Sequence, residues 1–203
     1  MKKIFYLLFI LLFSFMAAGC STGKENRGEQ TAYGEQGEED AVNTVQMGSQ
    51  YRVIGSMEEL KNAVVRILGK DYWPDTLLSE EEMAERTGIS SSMYENFMAE
   101  YQHTEAGIDM MILIEAKEDE IEKIEQYLND YRNLLLKIYE QQPLNRSKVF
   151  ASRIEVIDNY VCYVQLGADI SSLANKDEEE MISYCQQQNE RALDILEKTI
   201  LNS

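Results

Sequence analysis

Histidine is almost missing from this chain: His103 is the single one among 203 residues. A Ser-His-Asp or Cys-His catalytic arrangement needs a near-neutral imidazole, so any such pair would have to use this one residue. It lies in an expected turn, and we read it as a surface polar residue. Cysteine is also scarce, with 3 in the chain, which excludes a disulfide-framework fold. Basic side chains are outnumbered, 19 Lys plus Arg against 36 Asp plus Glu, for a formal charge of -17. Such a surface repels phosphate backbones and anionic headgroups, which excludes nucleic acid and a polybasic membrane contact as partners. Long apolar runs are absent too. The one continuous apolar segment, Ile4 to Phe15, falls short of the roughly 20 residues a spanning helix requires.

What is present at the amino terminus has a clear order. Lys2 and Lys3 form a short positive region, the apolar segment follows, and Met16-Ala17-Ala18-Gly19 is small and neutral. That is the layout of a secretory signal. The stretch Ala17-Ala18-Gly19-Cys20 resembles the lipobox of bacterial lipoproteins, with Ala17 standing where leucine is usual. The resemblance implies that residues 1–19 are a removed signal peptide and that Cys20 becomes the acylated first residue. Each buried acyl methylene would then contribute about 0.8 kcal/mol to membrane anchoring. Loss of Lys2 and Lys3 with the leader would move the formal charge from -17 to -19.

From Ser21 to about Ser49 the chain is rich in Gly, Glu, Gln and Ser without an apolar period. Such composition cannot bury enough surface to offset chain entropy, so residues 20–50 are expected to form a disordered acidic tether with a reach of about 30 Å. The remaining chain, 51–203, holds one domain's worth of sequence. Its first helix is expected from Ser56, whose spacing to Glu59 fits a capping box, through the stripe Leu60, Val64, Ile67 and Leu68 to a stop at Gly69. Ser79 and Glu82 make a second box opening a short helix that Gly88 ends. Between the two helices, Pro74 biases Trp73 toward an extended conformation.

MYENFMAEY fits both strand and helix spacing; residues 93–102 are read as a strand because IDMMILIEA follows after a short turn and completes a hairpin. The periodic segment after Lys117 places Ile121, Ile124, Leu128, Tyr131, Leu135 and Ile138 on one helical stripe, which Pro143 ends. SRIEVI and YVCYVQLG flank Asp158-Asn159, a second hairpin with a two-residue loop. A last helix from about Lys176 carries Met181, Cys185, Ala192, Leu196 and Ile200 inward. The expected fold class is α+β: an antiparallel sheet of about four strands in two hairpins, with helices packed on it, in the order α-α-β-β-α-β-β-α.

The lipobox, the acidic tether, IDMMILIEAK running into an acidic helix, the Tyr139 to Pro143 exit and the hairpin IEVIDNYVCYV together resemble a family of uncharacterised lipoproteins. It is the family of Gram-positive, Firmicutes-type bacteria called domain of unknown function 4358. The likeness covers roughly residues 55 to 170. It implies an extracytoplasmic location and this fold, and it brings no activity, cofactor or catalytic residue with it.

No catalytic, metal or nucleotide motif stands out. The acidic runs at Glu80–Glu82, Glu118–Glu120 and Asp177–Glu180 are expected in first helical turns, where carboxylates favour the positive end of the helix dipole. None has the ligand alternation and central glycine of an EF-hand loop. Cys162 and Cys185 both lie in apolar contexts, either as buried free thiols or as a disulfide tying the last helix to the sheet. Tyr72 and Trp73, in a loop between helices, are either a recognition patch or a plug at the core edge. These readings favour a non-enzymatic, lipid-anchored interaction module without a cofactor or metal, acting on an unidentified protein partner at the outer face of the cytoplasmic membrane. The alternative is a small-ligand or solute-binding lipoprotein.

Overall fold

The computed structural model describes residues 57–104, 107–167 and 169–202. The expected signal peptide and tether, Cys20 and the Ser56 end of the first expected capping box lie outside the described residues. The architecture is α+β, with a five-stranded antiparallel sheet in the order β1-β2-β3-β5-β4. These strands are β1 Thr76–Leu77, β2 Tyr94–Tyr101, β3 Met110–Ala116, β4 Arg153–Ile157 and β5 Tyr160–Gln165. The helices are α1 (57–68), α2 Glu80–Thr87, α3 Ile121–Ile138, α4 Pro143–Ala151 and α5 Glu178–Ile200.

The central strands are apolar on both faces because helices cover both. Met110, Ile112 and Ile114 of β3 pack with Val161 and Tyr163 of β5 against Met83 of α2 and Ile124, Leu128, Tyr131 and Leu135 of α3. The alternate residues, Met111 and Leu113 with Cys162 and Val164, face Leu60, Val64 and Leu68 of α1 and Ala192, Leu193, Leu196 and Ile200 of α5. Side chains alternate across a strand, so one run of MMILIEA supplies both layers. Burying a single leucine of this kind contributes about 1.5–3 kcal/mol.

Local chemistry places the elements. Ser79 Oγ accepts from the Glu82 amide while Glu82 accepts from the Ser79 amide, a complete capping box for α2. Gly88 ends that helix at φ 82, and Gly69 at φ 57 follows α1, both left-handed positions that suit glycine. Asp158 has φ 54 in the two-residue loop between β4 and β5, as that hairpin requires. Within the segment 93–102, Tyr94–Tyr101 is strand β2, paired with β3 from Tyr101↔Met110 to Tyr94↔Ala116.

The structure departs from the sequence reading in several places. The sheet gains the short edge strand β1, held by pairing to Tyr101 and Glu100. Pro143 does more than end α3: it opens α4 at the first helical position, where its missing N–H is no loss. Arg132 of α3 then caps the far end of α4, donating to Val149 O, Phe150 O and Ser152 Oγ. Ile67 and Ile138 lie on the expected apolar stripes, yet they are 42% and 55% exposed. In each helix the stripe that meets the sheet is narrower than the apolar pattern.

Candidate functional site

Register brings polar groups together at one end of the sheet. Met110 pairs with Tyr101 on one side and with Gln165 on the other. Beyond that row, the Gln102 amide donates to Asp109 O at 2.8 Å. Asp109 is fully buried and its Oδ1 accepts from Lys148 Nζ of α4 at 2.5 Å; the Gly167 amide donates to Oδ2 at 3.2 Å. Gln165 is satisfied as well, accepting from the Tyr163 hydroxyl and donating to Ile108 O. A buried charge survives only when paired and hydrogen-bonded, and Asp109 has both kinds of partner.

Two small cavities flank Gln102. One, of about 180 Å³, is bounded by Trp73, Gln102, Leu144, Lys148 and Ile170. The Trp73 indole donates to Lys70 O at 2.9 Å, which fixes the ring, and the Lys148 ammonium lies 5.8 Å from its centroid. Asp169 stands at the rim, its carboxyl held below the ordinary range by the Ser171 hydroxyl and then the Ser171 amide. Tyr72 turns the other way. Its hydroxyl donates to Glu100 at 2.7 Å beside the Lys61–Glu100 pair, and its ring packs on the α1 and α5 side. Burial, and then that hydrogen bond to Glu100, push the Tyr72 hydroxyl well above its ordinary value.

The other cavity, of about 120 Å³, is walled by Arg86, Tyr101, Tyr131 and Tyr139, with Gln102 and Gly107 on the side shared with the first. The Arg86 guanidinium lies 4.7 Å over the Tyr101 ring, a favourable cation–π placement. Burial raises the Tyr131 hydroxyl and the nearby guanidinium pulls it back; burial likewise raises Tyr139. Gln102 is 9% exposed and its Oε1 has no hydrogen-bond partner. Leaving such an acceptor unsatisfied costs about 1–3 kcal/mol.

Of the residues expected to matter, Cys20 lies outside the described residues. Cys162 and Cys185 are buried free thiols, each pushed up to about 12 chiefly by burial. Of the two readings left open, the structure has the buried free thiols and not the disulfide. Cys185 Sγ lies 2.7 Å from where a Cβ on Gly167 would stand, and Gly167 is five residues past Cys162, about 16 Å along an extended chain. A disulfide needs Cα atoms within about 7 Å. Trp73 borders a cleft, whereas Tyr72 serves the Glu100 network. His103 is exposed, its ring nitrogen 3.1 Å from the Tyr101 hydroxyl.

Two acidic runs do open helices. Glu80–Glu82 form the first turn of α2, and Asp177 caps α5 by accepting from the Glu180 amide at 2.9 Å. Glu118–Glu120 instead make a turn before α3. Among the described residues, no three His, Cys, Asp or Glu side chains group to hold a metal ion. Also among them, no helix is long and apolar enough to cross a membrane.

Sequence reasoning missed Arg86, Gln102, Asp109 and Lys148. Asp109 did carry a signal, as an acid at the head of an otherwise apolar strand. Comparison with curated proteins and with solved structures finds no match. Residues 70–166, which span both Trp73 and the Asp109–Lys148 pair, match the family model described as Domain of unknown function (DUF4358), and that match supports the domain family the sequence pattern resembles.

Proposed function

We propose that the protein is a non-enzymatic interaction module, lipid-anchored through acyl chains on Cys20 at the outer face of the bacterial cytoplasmic membrane. Residues 1–19 are the removed signal, 20–50 the acidic tether and 51–203 the globular domain. The Gram-positive, Firmicutes-type origin belongs to the same reading. It is supported by the order of positive region, apolar core and Ala17-Ala18-Gly19-Cys20.

One observation carries the interaction role. Trp73 sits half-buried over a cleft of about 180 Å³. Small-molecule pockets usually enclose roughly 300–1,000 Å³, so this cleft suits one side chain or chain end of a larger partner better than a free solute. The rigid indole supplies contact area at low entropic cost, as aromatic anchors do at interfaces.

Crosslinking in intact cells tests the role, with attached partners identified for wild type and Trp73→Ala. Recovery of the same partners at equal yield from both proteins would remove the support for the cleft. Fractionation tests the anchor separately. Cys20→Ala should release the protein from membranes or leave its precursor unprocessed, and a correctly cleaved, membrane-bound variant would refute it.

A further inference from the structure

Buried polar atoms in the described domain are almost all paired. Tyr94 Oη and Gln102 Oε1 are the exceptions, and only Gln102 borders a cavity with a cation in its wall. That cation, Arg86, makes no ion pair among the described residues. It acts on the Tyr131 and Tyr139 hydroxyls in the same wall and on Glu82, one turn earlier on α2, whose carboxylate is already held by the Ser79 amide and hydroxyl. Asp109, the acid in the cavity wall, is tied to Lys148 and to the Gly167 amide. One wall therefore offers a planar fork of N–H donors and another a single dry acceptor. Aromatic rings lie between them.

A ligand that satisfies both must carry an acceptor anion and an N–H donor close together. A carboxylate fits the guanidinium fork in bidentate geometry. Size narrows the class further, because about 120 Å³ is the volume of roughly four water molecules. One terminal glycine-like residue, with its amide nitrogen, α-carbon and carboxylate, is of that size. A free amino acid would bring an ammonium group beside the Arg86 guanidinium, where like charges are unfavourable, while the Asp109 carboxylate in the wall is already paired with Lys148.

We propose that the cavity between Arg86 and Gln102 binds the free carboxyl end of a peptide chain, with the terminal carboxylate on Arg86 and the terminal amide N–H donated to Gln102 Oε1. The preceding residue of that chain would lie toward Gly107 and the Trp73 cleft, since both cavities share Gln102 and Gly107. This names the partner chemistry for the interaction role above and rests on that reading.

Titration of the purified protein with N-acetylglycine, followed by NMR of its tyrosine rings, tests the assignment. Three controls accompany it: N-acetylglycinamide lacks the carboxylate, acetate lacks the N–H, and free glycine carries an ammonium. N-acetylglycine should bind saturably and shift Tyr101 and Tyr139, with each control weaker by about tenfold or more. Arg86→Gln, at an exposed position, should lose that binding while melting as the wild type does. Gln102→Leu should lose it too while keeping or raising the melting temperature, because it removes an unpaired buried acceptor. No saturable shift would mean water only and would overturn the proposal. So would equal binding of acetate or the amide, glycine binding as tightly as N-acetylglycine, or undiminished binding by either variant. Partners crosslinked through Trp73 without N-acetylglycine binding would leave the interaction role standing while this assignment fell.

Discussion

Replacing Lys148 by methionine removes the cation from a buried ion pair. Lys148 is 5% exposed and Asp109 0%, with Nζ and Oδ1 2.5 Å apart. Methionine keeps most of the apolar stem, whose Cγ and Cε would each lie 3.2 Å from a Cβ built on Gly167. The loss is then mainly electrostatic: a carboxylate sealed from water keeps the Gly167 amide at 3.2 Å but loses the cation that neutralises it. Removing one partner of a buried ion pair costs about 3–5 kcal/mol, or about 10 °C or more in melting temperature for a domain of this size. Urea unfolding at neutral pH and thermal melting measure it. The double variant Asp109→Asn, Lys148→Met removes both charges while the asparagine carbonyl can still accept from Gly167, so it should recover most of the loss. A double-mutant cycle should give a coupling of about 2 kcal/mol or more. A Lys148→Met protein melting within about 2 °C of wild type, or a double variant no better than the single one, would refute the reasoning.

Three other outcomes are open to direct measurement. Cys162 and Cys185, with thiols pushed up to about 12, should resist alkylation at pH 8 in the native protein and react only in denaturant; rapid native labelling of either peptide would contradict their burial. The Glu82 carboxyl is held below its ordinary range by the Ser79 amide and then the Ser79 hydroxyl, so its contribution is complete at neutral pH and is lost as pH falls through that depressed value. Melting at pH 7 and pH 3 should therefore differ more for wild type than for Glu82→Gln, and Ser79→Ala should cost about 1 kcal/mol at pH 7 through the lost cap. Gly88→Ala puts a Cβ at φ 82 and 3.4 Å from the Tyr127 ring, and should destabilise by about 1–2 kcal/mol in urea unfolding.

Where a residue's fate depends on its immediate neighbours, the sequence was legible. Ser79 with Glu82, Gly88, and Asp158 in its two-residue loop follow from local backbone chemistry, and each adopts the conformation expected. The α5 stripe from Met181 to Ile200 is buried as its period implies. Helix α4 was hidden because Pro143 reads equally well as a stop for α3 and as a first helical residue, and PLNRSKVFA has no strong apolar stripe of its own. What holds α4 is Arg132, reaching across from α3 to its last carbonyls. No local pattern announces that. The cysteines show the same limit. Both face apolar surroundings as expected, but their separation depends on how α5 slides along β5, and that register is set by Asn189 accepting from the Leu166 amide and donating to Ala151 O.

The site was the least legible part, and the reason lies in the sheet. Helices cover both of its faces, so neither face is left to meet a partner. Its edges are guarded as well. On the β2 side, the Phe97 amide donates to the Asn96 side chain next to it, and on the β4 side, Arg153 pairs with Glu155 and Glu190. Such charged or self-satisfied edges discourage strand addition. For the proposed interaction role, this leaves the strand ends as the place for recognition. At one end, residues distant in sequence, Gln102, Asp109, Lys148 and Gln165, are all buried together. A fold gains little stability from a buried ion pair and loses some to an unpaired amide oxygen. Polar groups that are costly to bury, gathered where the sheet is open to solvent through two small cavities, are the arrangement expected of a site retained for binding.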